Sequence, residues 1–213
     1  MMKTSMYLSA AMALVGLVSS IEAEASVFVF DNTSNASQGA ATVGQLTPTI
    51  FLRRAESFTV GAQSYALDSI DIKISGSANA SGYTISLWSN SGSQHPSAQV
   101  LSFTTSTFNN GSPTLVNFTP VSGFTLAAGT KYWIVAQASG STTFNVDSVT
   151  SSGGNSMDVD VGSPSFTGAW GSQSSLAISS RVSGTAVPEP ASFAAIASLG
   201  CAGLYMLRRR QNG

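Results

Sequence analysis

The sequence predicts an all-β fold: a jelly-roll-like β-sandwich of about ten strands, with an N-terminal signal peptide and a single short transmembrane helix at the C-terminus. Three observations support this prediction. Short runs of β-branched and aromatic residues alternate with polar ones, and turn signals rich in Gly, Asn and Ser separate these runs. Apolar segments lie near both ends of the 213-residue chain. The central region shows no sustained helical periodicity.

Alternation of apolar and polar residues along the chain supports the individual predicted strands. Ile70, Ile72 and Ile74 are predicted to point to one face and Asp71 and Lys73 to the other, because successive side chains of a strand alternate. One run is apolar on both faces, which predicts a central strand. That run is Lys131–Ala138, and the other predicted strands are Val27–Phe30, Glu56–Val60, Leu67–Ser75, Tyr83–Trp88, Gln99–Thr105, Thr114–Thr119, Thr143–Val146, Met157–Val161 and Leu176–Ser183.

The first 25 residues have the parts of a secretory signal peptide. Lys3 supplies a positive charge, and Met6–Val18 is almost wholly apolar. Ala23 and Ala25 form a small-x-small site, which predicts cleavage by signal peptidase before Ser26. A retained membrane anchor is the alternative, but an apolar run of roughly a dozen residues is shorter than the ~20 that span a bilayer. We therefore expect export across the inner membrane.

The C-terminal region carries three features in order: a proline-containing hexapeptide, an apolar stretch at Phe193–Leu207 and an arginine cluster. The prolines keep the backbone extended. The apolar stretch lies at the lower limit of what spans a bilayer, and the arginines resist translocation and hold their end in the cytoplasm. The hexapeptide is Val187, Pro188, Glu189, Pro190, Ala191 and Ser192, and the cluster is Arg208, Arg209 and Arg210.

This order of features resembles the PEP-CTERM sorting signal of certain Gram-negative bacteria, with Pro188, Glu189 and Pro190 matching its tripeptide. The resemblance implies that exosortase, a membrane-embedded cysteine transpeptidase, recognises the tripeptide and removes the tail. It also implies a membrane-anchored precursor, a final place at the cell surface or in the extracellular matrix, and exopolysaccharide as a partner. The alternative is an ordinary tail-anchored protein with a single span.

Charge and cysteine content limit the function of the central region. Charged residues make up 9% of the chain, with a formal net charge of −1, and no basic stripe is present. This composition argues against a nucleic-acid partner, which would need clustered Lys and Arg. The single cysteine, Cys201, lies in the apolar tail, so the central region forms no disulfide.

A second resemblance covers roughly Val27 to Ser183 and is carried by a series of four segments: Ala55–Gly61, Tyr65–Ile72, Tyr83–Trp88 and Phe124–Val135. The series is similar to the choice-of-anchor R domain, an extracellular β-rich module, which implies a domain at 26–183 and a tether with the sorting motif at 184–192. That family supplies no catalytic residues to carry over.

Catalytic patterns are weak, so the sequence predicts no enzyme and no cofactor. His95 is the one histidine and lies in a turn-like segment with no Gly-x-Ser-x-Gly motif in the chain, so we expect a solvated loop residue rather than a base. One histidine without a cysteine in the central region also argues against zinc. A hydrolase with paired carboxylates, including Glu56, is a third hypothesis after the matrix protein and a glycan-binding module.

Two further sites stay open as alternatives. Asp158 and Asp160 alternate along a strand and share one face; they either face water or, with Asp147, bind a structural Ca²⁺ ion. Trp170 is flanked by small residues that would leave it exposed, which makes it the candidate glycan contact of a carbohydrate-binding module. Trp88 and Trp133 lie in predicted strands and are expected in the core.

Overall fold

A computed structural model describes residues 25–151, 156–162, 169–173 and 175–188. Over these residues the fold is all-β: 14 strands join in one antiparallel sheet that curls around a core, as in a β-sandwich. Ser26–Ala186 form one compact unit. Within the described ranges no helix is long and apolar enough to cross a membrane. The predicted signal peptide up to residue 24 and the apolar stretch Phe193–Leu207 lie outside the described residues.

The strands are numbered in chain order, and a 3-10 turn at Ala80–Gly82 joins β4 to β5. They are β1 (Val27–Asp31), β2 (Ser37–Thr47), β3 (Ile50–Thr59), β4 (Tyr65–Ala78), β5 (Tyr83–Asn90), β6 (Pro96–Ser102), β7 (Phe108–Phe118), β8 (Thr125–Leu126), β9 (Lys131–Ala138), β10 (Thr143–Thr150), β11 (Met157–Gly162), β12 (Trp170–Gln173), β13 (Leu176–Ile178) and β14 (Ser180–Ala186).

The main path through the sheet runs β1-β14-β4-β10-β2-β3-β9-β5-β6. β7 and β8 pair with β4, β11 pairs with β3 and β12, and β13 pairs with β10. β4 is the longest strand, with 14 residues. At Gly76 the φ angle of β4 is +94°, and its pairing with β7 shifts register between Ile74 and Gly76. Such a bulge bends a strand and increases its twist.

The first and last strands of the compact unit are neighbours. β1 pairs antiparallel with β14, and Val27 lies opposite Gly184. Antiparallel pairing places the start of β1 beside the end of β14. Both ends of the unit therefore leave the fold at the same edge.

The alternation of apolar and polar residues along β4 correctly predicts which of its side chains enter the core. Ile70, Ile72 and Ile74 have no exposed surface, whereas Asp71 on the other face bonds Arg181, its Oδ2 lying 2.7 Å from the arginine Nε. Burying one such isoleucine stabilises the fold by about 1.5–3 kcal/mol. The rings of Tyr83 and Phe144 meet edge to face in the same core, at 5.5 Å between centroids.

The strand predictions are confirmed in most places. β9 spans the predicted Lys131–Ala138, lies between β3 and β5 and is buried on both faces, as expected of a central strand. The sequence did not predict β2, β8 or β12. β2 has small residues and two glycines in place of alternating β-branched ones, so its local preference is weak and pairing on both sides holds it.

The predicted last strand divides in two. Residues 176–178 pair with β10, whereas Ser180–Ala186 pair with β1 and β4. Ser179 separates them, and its amide donates to Asp147 O at 2.8 Å. β14 continues to Ala186, so the strand extends three residues beyond Ser183.

Candidate functional site

Aromatic and charged side chains collect on one face of the sheet, where they pack apart from the main hydrophobic core. Pairing across β5, β9, β3, β11 and β12 aligns them. Trp88 lies opposite Trp133, and Asp160 lies opposite both Arg53 and Trp170. We call this group the Trp–Arg cluster; its members are Arg53, Trp88, His95, Trp133, Asp158, Asp160 and Trp170.

Arg53 is the centre of the cluster and is 6% exposed. Its Cζ lies 5.2 Å from the ring centroid of Trp88 and 4.5 Å from that of Trp170. Its Nη2 and Nε donate to Asp160 Oδ2 at 2.6 and 3.0 Å. Two cation–π contacts and two charged hydrogen bonds together offset the cost of burying the guanidinium.

The three tryptophans differ in exposure. Trp133 is fully buried, as expected, and its Nε1 donates to Asn90 Oδ1 at 2.9 Å. Trp88 is half-buried, and its Nε1 donates to Ser86 Oγ at 2.8 Å. Trp170 is also half-buried and meets Trp88 edge to face at 6.3 Å between centroids. Part of Trp170 therefore reaches solvent.

His95 lies in the loop between β5 and β6, as predicted, but it is only partly solvated and has a buried partner. Its Nδ1 lies 2.6 Å from Asp158 Oδ2, and 31% of its side chain is exposed. Asp158 is fully buried, and its Oδ1 has no hydrogen-bond partner within the part of the chain that the structure describes. Burial raises the pKa of Asp158, while the hydrogen bond to His95 and the charges of His95 and Lys131 act in the opposite direction.

Asp158 and Asp160 share one face, but neither faces water: both have no exposed surface. Each has a basic partner, His95 or Arg53. Asp147 accepts from Ser37 Oγ at 2.7 Å and lies 3.8 Å from Lys73 Nζ. Among the described residues there is no group of three or more His, Cys, Asp or Glu that could hold a metal ion. The geometry gives the Ca²⁺ alternative no support.

Glu56 is fully buried and bonded to the last strands of the sheet. It accepts from Ile178 N at 2.6 Å and from Asn32 Nδ2 at 3.3 Å, and Asn32 Oδ1 accepts from Ser180 N at 2.7 Å. Burial raises the pKa of Glu56 well above its ordinary value, against the opposing effects of the Ile178 amide and the Lys131 charge. Apart from a lone acid in a predicted strand, no sequence pattern predicts this contact.

The predicted processing residues lie at the ends of the compact unit. Ala25 and Ser26 are exposed ahead of β1, and Ala23 lies outside the described residues. Val187 is half-exposed and Pro188 exposed, directly after β14. Other predicted residues outside the described part are Glu189, Pro190, Ala191, Ser192, Arg208, Arg209 and Arg210.

Comparison with known proteins finds no family model that matches this chain and no matching curated protein.

Proposed function

We propose that this chain is an exported, non-enzymatic cell-surface or extracellular-matrix protein that is sorted by exosortase and associates with exopolysaccharide. One observation carries the proposal. The compact unit is Ser26–Ala186, so it starts at the residue that follows the predicted signal cleavage and ends directly before the hexapeptide that starts at Val187. A jelly-roll arrangement of the sandwich and a relation to the choice-of-anchor R domain belong to the same proposal.

The chain is accessible to cleaving enzymes at both ends of the compact unit, which supports the proposed processing. Proteases and transpeptidases need an exposed, extended segment, because a strand inside a sheet has its backbone groups already paired. Ala25 and Ser26 precede β1 and are exposed, and Val187 and Pro188 follow β14 outside any strand. Cleavage at either end therefore requires no strand of the domain to open.

The proposed sequence of events has three steps. Signal peptidase cuts before Ser26 during export. Phe193–Leu207 then stops transfer while Arg208–Arg210 stay in the cytoplasm, which gives a precursor anchored in the inner membrane. Exosortase cuts near Val187–Pro190, and the domain passes to the cell surface or the matrix.

The sorting step is tested by replacing Pro188, Glu189 and Pro190 together with alanine and fractionating the cells. The variant is expected to accumulate in the inner membrane at the mass of the uncut precursor, while the Gln211→Ala control is processed like the wild type. A triple variant that reaches the same fraction at the same mass as the wild type would contradict the proposal.

A second candidate function is a carbohydrate-binding module that uses Trp170. The observation in its favour is that Trp170 is half-exposed, contacts Arg53 and Trp88, and is followed by the exposed Gly171 and Ser172. Aromatic rings with one apolar face free are common ligand contacts.

The test is polysaccharide binding by Trp170→Ala against the control Phe28→Ala, which removes an aromatic side chain that is 59% exposed on β1. If Trp170 contacts the polysaccharide, Trp170→Ala should lose binding while Phe28→Ala keeps it. Circular dichroism checks that both variants are folded. Equal binding by both variants and the wild type would exclude Trp170.

A further inference from the structure

We propose a binding site for a neutral sugar residue of a polysaccharide in a cleft at the end of β4. The cleft encloses about 570 Å³ between β4, β7 and the turn from β9 to β10. This inference deepens the proposed function, and it rests on that function for the choice of a polysaccharide as ligand. The polar residues that line the cleft are Ser77, Asn79, Thr107, Asn109, Ser141, Thr142 and Thr143.

Strand pairing brings these side chains together. Ser77 lies opposite Asn109, and Ala78 lies opposite Phe108, in the β4–β7 pair. Because side chains alternate along a strand, Ala78 and Phe108 point into the core while their polar neighbours point outward, and the exposure of each residue agrees. On the other side of β4, Phe144 of β10 pairs with Gly76, which places the residues just before Phe144 beside the same end of β4.

The chemistry of the cleft selects a neutral ligand with many hydroxyl groups. Its polar side chains are all hydroxyls or amides, and none of the lining residues is charged. Ser, Thr and Asn side chains both donate and accept hydrogen bonds, as sugar hydroxyls do. A uronate or phosphate group would find no basic side chain here to offset the loss of its hydration.

Several of these groups have hydrogen-bonding capacity to spare. Asn79 precedes the 3-10 turn without capping it through its side chain. Within the described residues, the amides of Asn79 and Asn109 have no protein hydrogen-bond partner. Thr107 Oγ1 accepts from Ala80 N at 3.3 Å, which leaves its O–H free to donate to a ligand. The cleft therefore offers two amides and a hydroxyl from two strand ends.

The walls of the cleft are held in place before any ligand binds. A Cβ atom on Gly82 would lie 2.6 Å from Thr142 Oγ1, so the turn and the β9–β10 segment touch as closely as a glycine allows. Ser139 N donates to Gly82 O at 2.8 Å. Phe108, also a lining residue, has its ring in the core, where Tyr83 packs edge to face against it at 5.3 Å between centroids. Because these walls are already ordered, binding a ligand costs less conformational entropy.

The test measures binding of the purified full chain to dextran, mannan and galactan, which are neutral, and to alginate, which is acidic. The double variant Asn79→Ala/Asn109→Ala removes two exposed amides, and Gln99→Ala is the control because it removes an exposed amide on β6. We expect the wild type and the control to bind at least one neutral polymer better than alginate, and the double variant to bind that polymer at least tenfold more weakly.

Three results would overturn the inference: no binding to any neutral polymer, stronger binding to alginate, or a double variant that binds within twofold of the wild type. Loss of binding in Trp170→Ala with full binding in the double variant would place the site at the Trp–Arg cluster instead. Sorting of the tail does not affect this assay, so failure of the cleft and failure of the sorting proposal are distinguishable.

Discussion

Replacing Glu56 with glutamine should change how the stability of the domain depends on pH. Glu56 is fully buried, and burial raises its pKa well above the ordinary 4.5. Glutamine matches the protonated carboxyl in size and charge and keeps a carbonyl oxygen for the Ile178 amide, now 2.6 Å from Glu56 Oε2; its NH2 group replaces Oε1, so the 3.3 Å bond from Asn32 Nδ2 is lost at every pH. Unlike glutamate, it has no proton to lose.

The sign and size follow from proton linkage. Below pH 4.5 the Glu56 carboxyl is protonated in both the folded and unfolded chains. As pH rises from 4.5 towards the raised pKa of the folded state, the unfolded chain releases this proton while the folded chain keeps it. The wild-type free energy of unfolding therefore falls relative to that of Glu56→Gln, by up to about 1.4 kcal/mol per pH unit, and levels off above the folded pKa.

The assay is urea unfolding of both proteins at pH 4.5, 5.5, 6.5 and 7.5, followed by tryptophan fluorescence. At pH 4.5 the free energies of unfolding of the two proteins should differ by less than about 1.5 kcal/mol. At each higher pH the free energy of unfolding of the variant should rise relative to that of the wild type, until the difference levels off. Asp158, whose pKa is also raised, is present in both proteins and cancels in the difference. Parallel pH profiles, or a wild type that gains on the variant, would refute the reasoning.

Two further predictions concern packing and charge. Gly44→Ala should lower the free energy of unfolding by about 2–5 kcal/mol, because φ is +111° and the new Cβ would lie 3.0 Å from the Ala138 Cβ. Gly39→Ala, with φ of +105° and no atom within 4 Å, should cost less in the same thermal and urea measurements; equal losses would contradict the packing argument. Arg53→Met should cost about 3–5 kcal/mol by breaking its ion pair with Asp160, and the double variant Arg53→Met/Asp160→Leu should recover most of it in urea unfolding. A double variant as unstable as the single one would contradict this account.

Much of the fold follows from local pattern. Alternation predicts the inward set at Ile70, Ile72 and Ile74, and a run apolar on both faces predicts β9 and its central place. The same reasoning does not predict β2, because its small residues and glycines have little preference for a strand. Its pairing with β10 and β3 decides its structure, and pairing between distant segments leaves no local trace in a sequence.

The candidate sites were less predictable for the same reason. Alternation alone places Asp158 and Asp160 on one face. Their burial depends on Arg53, which is 107 residues from Asp160, and on His95, which is 63 residues from Asp158. The cleft at the end of β4 draws on three separate segments, each of which looks like an ordinary polar turn or strand end when taken alone.

Mass spectrometry of the mature protein tests the central claim most directly. We expect a chain that starts at Ser26 and ends near Val187–Pro190 in cells with the sorting transpeptidase, and a chain that retains its tail in cells without it. A C-terminus at Gly213 in both kinds of cell would contradict the account.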